Sequence, residues 1–483
     1  DDNFDHGGLD FIGGVNLWLT TDAGASWNLN SMWTTNPMHN PDGIPFLHSD
    51  KHALMHHPLA PNVVYAASDG GIHVTNNLGA TWYDRTPGLG ISQMYKVGIS
   101  ATAPDVMLCG LQDNGLKQVD GGEWREIMPG DNMECIIDPE EPQVQYSCVL
   151  TGLLYRTTDD WANRTLIADN IPGFSAYMQQ YGFGPGAWVT PFTMDPQDNQ
   201  VLYIGFKQLW RSANRGDDWS LVPGLQTGSH LRHLAIAPSD PQMIYAATYD
   251  TLFKRTGSEW TIIPVDMITG SPSNAISGIA VSDMDPQRLW VVISGYDAQR
   301  KVYSSDNGGA SWVSMTGTLP NVPVNCIAHE PGTSGSLYIG TDIGVFQWLE
   351  SEGDWEPFDN ALPNVQVNDL EIAPANGTIV AATFGRGLWR SNLASWVRAP
   401  DAVPHVSGFT VAPNPAQESV TVTLKEPQQA RVELLNALGE RVATQAFVGN
   451  SLVIDLAHLG PGTYLIRMHG TTDAGCAKLM LVR

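Results

Sequence analysis

Two histidines and an aspartate alternate in the stretch His48-Ser49-Asp50-Lys51-His52. Alternate residues of an extended strand project to the same side of a sheet, so the spacing predicts that His48, Asp50 and His52 share one face. Imidazoles and carboxylates can act as general acids and bases, and together they are ligands for divalent metals. The stretch is therefore the first candidate for a functional surface.

Further carboxylates, amides and imidazoles occupy equivalent places along the chain. Asp50, Asp131 and His230 each stand eight residues before a proline that ends an apolar strand. The polar, glycine-containing turns after the following strands also carry candidates. Together, the ligand-binding candidates are His48, Asp50, His52, Asp69, Asp113, Asn114, Asp131 and His230.

A repeat of short strands is the element that would bring these residues together. A strand of bulky and tiny residues recurs eight times, at residues 64–67, 106–109, 144–147, 202–205, 244–247, 289–292, 337–340 and 379–382. The interval averages about 45 residues, the length of a four-stranded propeller blade. The sequence therefore predicts an all-β fold, a β-propeller of about eight four-stranded blades, with an open solenoid as the competing architecture. The first unit has only two strands, so we expect it either to complete the last blade or to begin further repeats.

A polar loop ending in tryptophan closes most repeats. Its first occurrence reads Thr20-x-Asp22-x-Gly24-x-Ser26-Trp27, and the spacing recurs with asparagine in place of aspartate. These loops resemble the Asp-box, or BNR repeat, of sialidase-like and sortilin-like β-propellers. The resemblance implies a structural role, in which the acid or amide caps turn amides and the tryptophan packs between blades. The positions are Asp22, Trp27, Asn77, Trp82, Asn214, Trp219, Asn307 and Trp312.

Strand direction in a closed propeller would place the candidate residues at one mouth of the central channel, opposite the Asp-box loops. Three interpretations remain open. The turns are simply favourable hairpins with solvated histidines, or a carboxylate pair hydrolyses glycosidic bonds, or a divalent cation (calcium or a transition metal) binds there. The cation ligands would be His48, Asp50, His52 and Asp131. Propellers of related repeats include xyloglucan-type endoglucanases, although we match their catalytic aspartates to no position here. The arginine triad of sialidases does not appear near the start.

The longest insertion, between Trp161 and Tyr203, is rich in glycine and aromatic residues. It contains Tyr181, Phe183 and Trp188. Such a loop can stack on sugar rings or seat a partner, and it can equally pack against its own blade. The sequence leaves both interpretations open.

Composition narrows the range of partners. The 483 residues carry a formal net charge of −25 at pH 7, so the average field repels nucleic acid and anionic membranes. No apolar run is long enough for a transmembrane helix. Cys135 and Cys148 flank a proline-rich turn at similar distances. They could form a cross-strand disulfide in an oxidising compartment, or remain buried free thiols.

The chain changes character after residue 397, where residues 398–407 predict a linker and residues 408–483 predict a small Ig-like β-sandwich. The elements Val411-Ala412-Pro413-Asn414-Pro415 and Pro461-Gly462-Thr463-Tyr464 resemble a type A C-terminal sorting domain of the type IX secretion system. The resemblance implies that the secretion machinery is a partner. It also implies release from, or display on, the outer membrane of a Bacteroidetes-type bacterium. Residues 1–397 would be the propeller, which we expect to be incomplete at its N-terminal end.

The sequence favours a secreted or surface-displayed propeller that binds a glycan or protein as an adhesive module and requires no cofactor. The alternative is a glycoside hydrolase that acts on an extracellular polysaccharide with a carboxylate pair at the propeller mouth.

Overall fold

The structure is a computed structural model that describes residues 10–265, 274–348, 350, 353–358, 361–394, 409–436, 441–470 and 474–482. The chain divides into two compact units, Asp1–Asn392 and Leu393–Arg483. The predicted linker, residues 398–407, lies outside the described residues. In the described part of the chain, no helix is long and apolar enough to cross a membrane.

Two sheets come first in the chain. The N-terminal sheet has three antiparallel strands, β1 (Asp10–Gly13), β2 (Leu17–Thr20) and β3 (Asn28–Ser31). The outer sheet has four, β4 (Lys51–His57), β5 (Ala60–Ser68), β6 (Gly71–Thr75) and β7 (Tyr83–Asp84). The two share a small core around Leu17, Leu47 and Val64.

Seven further sheets follow, each an antiparallel meander with its strands in chain order. Blade one is β8 (Met94–Ile99), β9 (Val106–Leu111), β10 (Gly115–Asp120) and β11 (Glu123–Met128). Blade two is β12 (Asn132–Ile137), β13 (Gln145–Val149), β14 (Leu153–Thr157) and β15 (Thr165–Leu166). The helix α1 (Phe174–Tyr181) precedes blade three, which is β16 (Phe192–Asp195), β17 (Asp198–Gly205), β18 (Leu209–Ser212) and β19 (Ser220–Leu221).

The other four blades continue the pattern. Blade four is β20 (His233–Ile236), β21 (Ile244–Ala247), β22 (Leu252–Thr256) and β23 (Glu259–Ile263). Blade five is β24 (Ala275–Val281), β25 (Leu289–Ser294), β26 (Val302–Ser305) and β27 (Val313–Ser314). Blade six is β28 (Val324–His329), β29 (Leu337–Thr341), β30 (Gly344–Trp348) and β31 (Trp355–Pro357), and blade seven is β32 (Val367–Ala373), β33 (Thr378–Thr383) and β34 (Leu388–Asn392).

The seven blades form a closed ring. The first strand of each blade contacts the first strand of the next, and β32 returns to β8. Asn368 Nδ2 donates to the carbonyl oxygen of Met94 (2.9 Å), and the Val97 N–H donates to Asp369 Oδ2 (3.1 Å). The predicted propeller is confirmed, and the eight repeated strands are all second strands of four-stranded or three-stranded sheets. The ring has seven blades because the outer sheet, which holds one of the eight copies, lies outside it.

The first unit of the repeat does not complete the last blade. Strands β1, β2 and β3 pair with one another, and blade seven has three strands within the described residues. Completion of the last blade is therefore not observed, and the alternative, that this unit begins further repeats, stays a prediction.

Tiny residues in the second strands let neighbouring blades approach closely. A Cβ added to Gly110 in β9 would lie 2.0 Å from the carbonyl oxygen of Met133 in blade two. Large side chains such as Tyr245 and Trp290 fill the remaining space between sheets and are almost fully buried. Alternation of tiny and bulky residues therefore gives close-packed interfaces from one blade to the next.

The tryptophan-ended loops share one hydrogen-bond pattern. In the first, Asp22 Oδ1 accepts from the Ser26 N–H and from Thr20 Oγ1, both at 2.8 Å. Asn77, Asn214 and Asn307 accept from the corresponding amide and hydroxyl in their own loops. Trp219 is buried and donates from Nε1 to the carbonyl oxygen of Ile167 (3.1 Å), while Trp27, Trp82 and Trp312 are half-buried. These side chains satisfy turn amides that would otherwise lack partners.

Of the two alternatives for Cys135 and Cys148, the buried free thiols are observed and the cross-strand disulfide is not. In the ladder of blade two, Ser147 stands opposite Cys135, so Cys148 projects to the other face of the sheet. The Cys135 thiol points to the carbonyl oxygen of Leu108 in blade one (3.2 Å), whereas Cys148 packs in the core shared with blade three.

Charged side chains from several blades meet on the axis of the ring. Lys96 Nζ in β8 lies 3.1 Å from Asp369 Oδ1 in β32 and 3.9 Å from Glu134 Oε2 in β12. Glu371 also projects from β32, and burial together with Asp369 and Glu134 raises the pKa of its carboxyl. In blade four, burial and the charge of Lys96 lower the pKa of His233 to about 3. Interactions that reach across the ring require the first strands to surround one common channel.

Thermal stability of the propeller is expected to fall as the pH rises from about 6.5 to 8, a range in which the lowered pKa of His233 no longer acts in the opposite direction. Burial raises the pKa of Glu134 from 4.5 to about 7 and that of Glu371 from 4.5 to about 8. The folded state therefore binds more protons than the unfolded chain in this window. This contribution is fully present below the unfolded pKa and is lost as the pH rises through the folded pKa. Calorimetric melting temperatures across the window, at constant ionic strength, measure the effect.

Two variants separate the effect of the buried glutamates from that of the general acidity of the chain. Glu371→Gln should flatten the dependence of melting temperature on pH, whereas Glu123→Gln on the exposed face of β11 should leave it unchanged. If the melting temperature changes with pH equally in the wild type and in Glu371→Gln, the buried carboxyl of Glu371 is not the origin of the pH dependence.

The C-terminal unit is one five-stranded antiparallel sheet that is bent on itself. Its strands are β35 (Phe409–Ala412), β36 (Ser419–Leu435), β37 (Arg441–Asp455), β38 (Gly462–Gly470) and β39 (Ala474–Leu481). The first half of β36 pairs with β35 and its second half with β38, while β37 pairs along both halves. Val422 from the first half and Leu434 from the second share one core with Leu479, so the unit has the two-layered packing of a β-sandwich.

Candidate functional site

The outer sheet meets blade one at a group of polar side chains. His48 Nε2 lies 3.1 Å from the carbonyl oxygen of Asp113, and Asn114 Nδ2 donates to the carbonyl oxygen of Asp69 (2.9 Å). His48 lies in the loop before β4, and Asp69 lies in the β5–β6 turn of the outer sheet. Residues 113 and 114 lie in the β9–β10 turn of blade one. Together with two neighbours these residues form what we call the Asp113 cluster, consisting of His48, His52, Asp69, Asp113, Asn114 and Asp131.

Asp113 is the most perturbed member of the cluster. It adopts a left-handed φ of 58°, and its N–H donates to Asp131 Oδ1 (2.9 Å). Burial raises the pKa of the Asp113 carboxyl, and the nearby charges of Asp131 and Asp69 raise it further, while His48 acts in the opposite direction. A half-buried carboxyl beside two others is therefore held in its protonated form to a higher pH than an ordinary aspartate.

The glycines of the β5–β6 turn make room for this arrangement. A Cβ on Gly70 would lie 2.3 Å from Cγ of His48, so a larger residue would displace the imidazole from its place above the turn. His52 reaches the same turn from β4, and its Nε2 lies 2.6 Å from Asp69 Oδ1. The Asp-Gly-Gly sequence thus has a geometric role in seating both histidines.

The predicted common face of His48, Asp50 and His52 is wrong. Strand β4 begins at Lys51, and Asp50 has a left-handed φ of 54°, so the backbone is not extended through the stretch. Asp50 is exposed, and its carbonyl oxygen accepts from the Asp69 N–H (3.3 Å). The local bend turns His48 towards blade one and His52 towards Asp69.

His230 lies apart from the cluster. It lines a separate cavity with Tyr177 and Trp210, and the charges that act on its pKa are those of Lys207 and Arg232. Asp50 likewise precedes a strand of the outer sheet rather than an innermost strand of the ring. Asp131 and His230 precede first strands of blades, whereas Asp50 does not. The expected convergence of all three residues on one channel mouth therefore does not occur.

Aromatic side chains border the cluster on the side of the ring. Tyr95 donates from its hydroxyl to Gln112 Oε1 (3.1 Å), and Trp188 Nε1 donates to the Tyr95 hydroxyl (2.9 Å). The Phe384 ring of blade seven lies with its centroid 6.0 Å from that of Tyr95. Trp188 is 46 % exposed, so its ring is available to a ligand beside the carboxylates. Sequence reasoning missed Tyr95 and Phe384, because no spacing in the chain relates β8 to the loop after β33.

The geometry offers no cation site of the predicted kind. Among the described residues, no group of three or more His, Cys, Asp or Glu side chains is placed to hold a metal ion. His52 faces Asp69, His48 faces a backbone carbonyl, and Asp50 points into solvent, so the four suggested ligands do not converge.

The C-terminal unit indicates how the protein is exported. Residues 410–482 match the family model of the secretion system C-terminal sorting domain. The chain is a type IX secretion substrate. It is a secreted or cell-surface protein of a Bacteroidetes-type bacterium, and the sorting domain engages the secretion machinery.

The propeller is similar to carbohydrate-active proteins. A xyloglucanase of Paenibacillus sp. is 24 % identical over 371 residues, which are 71 % of this chain and 28 % of that protein. A xyloglucanase of Hypocrea jecorina is 26 % identical over 156 residues, which are 32 % of this chain and 18 % of that protein. The chain thus spans less than a third of either relative.

A solved structure shows the same fold. An ancestral GH74 enzyme aligns with a TM-score of 0.50 at 13 % identity, covering 82 % of this chain and 62 % of that one. At this identity, the similarity shows a common fold only.

Proposed function

We propose that this exported propeller is a glycoside hydrolase that acts on an extracellular polysaccharide of the xyloglucan class, with the Asp113 cluster as its active site. The observation that carries the proposal is the raised pKa of Asp113 beside Asp69 and Asp131, at the junction between the outer sheet and the ring. The two xyloglucanases among the similar proteins support the substrate class. The interpretation as a purely adhesive module has no comparable support.

The cluster supplies the two roles that glycosidic hydrolysis requires. Asp113 is the proposed general acid, because a carboxyl whose pKa is raised keeps its proton to a higher pH and can protonate the leaving oxygen. Asp69 is the proposed base that activates water, since it projects from the opposite side of the junction and is oriented by His52. Asp131 accepts the backbone N–H of Asp113 and so positions the acid while helping to keep it protonated.

The aromatic border completes the proposed site. Trp188 is fixed by its hydrogen bond to Tyr95, which is itself held by Gln112 next to Asp113. A fixed and exposed indole can stack on a sugar ring and so direct a glycosidic bond to the carboxylates. We also infer that the tryptophan-ended loops are Asp-box repeats with a structural role, as their hydrogen bonds within each loop suggest.

Release of new reducing ends separates hydrolysis from adhesion. The purified full chain would be incubated with xyloglucan, unsubstituted β-glucan, xylan and starch, in parallel with a pull-down on the same polysaccharides in insoluble form. We expect reducing ends to appear with xyloglucan at the highest rate, and the rate to be unaffected by EDTA. Binding to a polysaccharide with no release of reducing ends would favour the adhesive module and overturn the proposal.

A further inference from the structure

A cavity of about 240 Å³ lies on blade three, apart from the Asp113 cluster. One wall comes from the insertion that carries α1, and the opposite wall comes from the β17–β18 turn. His230 stands at its edge. None of the residues that line the cavity belongs to the Asp113 cluster, so a ligand here would be held by a different set of side chains.

The aromatic side chains of the insertion that carries α1 differ in burial. Phe174 is buried against the Phe206 ring, with centroids 6.1 Å apart. Tyr177 is half-buried, with its ring centroid 4.5 Å from that of Tyr181 and 6.3 Å from that of Phe183. Tyr181 and Phe183 are about half exposed. The exposed rings of Tyr181 and Phe183 leave the role of a ligand surface, which the sequence offered as one of two interpretations, as a prediction.

Two half-buried aromatic rings face the cavity itself. Tyr177 lines the cavity from α1 and Trp210 lines it from β18, and both side chains are half-buried. Aromatic rings in such a position recognise flat or cyclic ligands, including the C–H face of a sugar ring. The small volume limits the occupant to about one ring at a time.

One lysine lines this aromatic cavity and one arginine lies nearby, although the protein has a net charge of −25. Lys207 is exposed at the rim, and Arg232 lies over the Tyr249 ring with its guanidinium carbon 3.8 Å from the centroid. Within the described residues, neither side chain is within salt-bridge distance of a carboxylate. Burial and then the charges of Lys207 and Arg232 lower the pKa of His230, which places the three groups near one another. The local charge therefore suits an anion that the rest of the surface would repel.

We propose that this cavity binds an acidic sugar, a hexuronic acid residue, with its ring against Tyr177 and Trp210 and its carboxylate towards Lys207. A carboxylate gains a charge-assisted contact from the lysine, and the neutral imidazole of His230 can hydrogen-bond a ring hydroxyl. The choice of a saccharide rests on the proposed carbohydrate-active function. The cavity would hold a uronic-acid branch or a second chain of the polysaccharide while the Asp113 cluster acts elsewhere.

A matched pair of ligands tests the proposal on the full-length protein. Methyl β-D-glucuronide and methyl β-D-glucoside differ only in the carboxylate, and their binding would be followed by ligand-observed NMR titration. We expect the glucuronide to bind about tenfold more tightly than the glucoside at low salt, because of the charge-assisted contact. Added sodium chloride should weaken the binding of the glucuronide and leave that of the glucoside unchanged.

Variants locate the site and separate it from catalysis. Lys207→Gln should abolish the preference for the glucuronide, whereas Lys254→Gln, whose ammonium lies beside Gly308 of blade five, should preserve it. Asp113→Asn should preserve it as well, so loss of hydrolysis and loss of acidic-sugar binding are independent results. Equal binding of the two glycosides, no saturable binding of the glucuronide, or an unchanged preference in a folded Lys207→Gln protein would each overturn the proposal.

Discussion

Replacing Asp113 by asparagine should lower kcat on xyloglucan by about a hundredfold or more, because the variant has no proton to give to the leaving oxygen. The fold should survive the change. Asn tolerates the left-handed φ of 58° that this position requires, and the backbone N–H that donates to Asp131 is unaffected. Steady-state kinetics and melting temperature, measured on the same preparation, would show a large loss of rate without loss of stability.

Asp120→Asn is the matched control for this prediction. Asp120 ends the same strand that Asp113 precedes, is exposed, and lies at the other end of blade one. The control should retain the rate of the wild type. The pH profile adds a second test, since the raised pKa of Asp113 predicts that activity declines only as the pH rises through that raised value. Retention of more than half of the rate in Asp113→Asn would remove this residue from the mechanism.

Replacing Lys96 by methionine should destabilise the propeller by about 3 kcal/mol. The lysine is the counter-ion of Asp369 and Glu134 on the axis of the ring, and its loss leaves the buried Asp369 carboxylate without its direct partner. We place the value at the lower end of the range for a broken buried ion pair, because the Lys96 side chain keeps 24 % of its surface open to the channel. A shift in the midpoint of denaturant unfolding measures it.

Lys117→Met provides the comparison within blade one. Lys117 pairs with Glu126 at 2.7 Å, but Glu126 is 62 % exposed, so loss of this pair should cost less than about 1 kcal/mol. Adding Glu371→Gln to Lys96→Met should recover part of the stability only above about pH 8, where the Glu371 carboxyl ionises and becomes an uncompensated charge. If both lysine variants unfold at the same denaturant concentration, the ion pairs of Lys96 on the axis do not stabilise the ring.

Local chemistry was enough to predict much of this protein. Turn glycines, strand length and the alternation of tiny and bulky residues are properties of neighbouring residues, and they predicted the β-propeller and the second strand of each sheet. The sorting domain was predicted differently, from the resemblance of short elements such as Pro461-Gly462-Thr463-Tyr464 to a known family. A role of the cluster in catalysis stays a prediction, as do the roles of its individual residues.

Only the tertiary structure decided the number of blades and which turns meet. Closure at seven blades depends on the angle between successive sheets, which no single repeat encodes. The bend at Asp50 and the opposite faces of Cys135 and Cys148 depend on backbone dihedrals and ladder register. His48 and Asp113 are 65 residues apart in sequence, and they touch because the outer sheet folds back against blade one. Sequence spacing describes one blade at a time, whereas a site between sheets is made by the packing of elements that are remote along the chain.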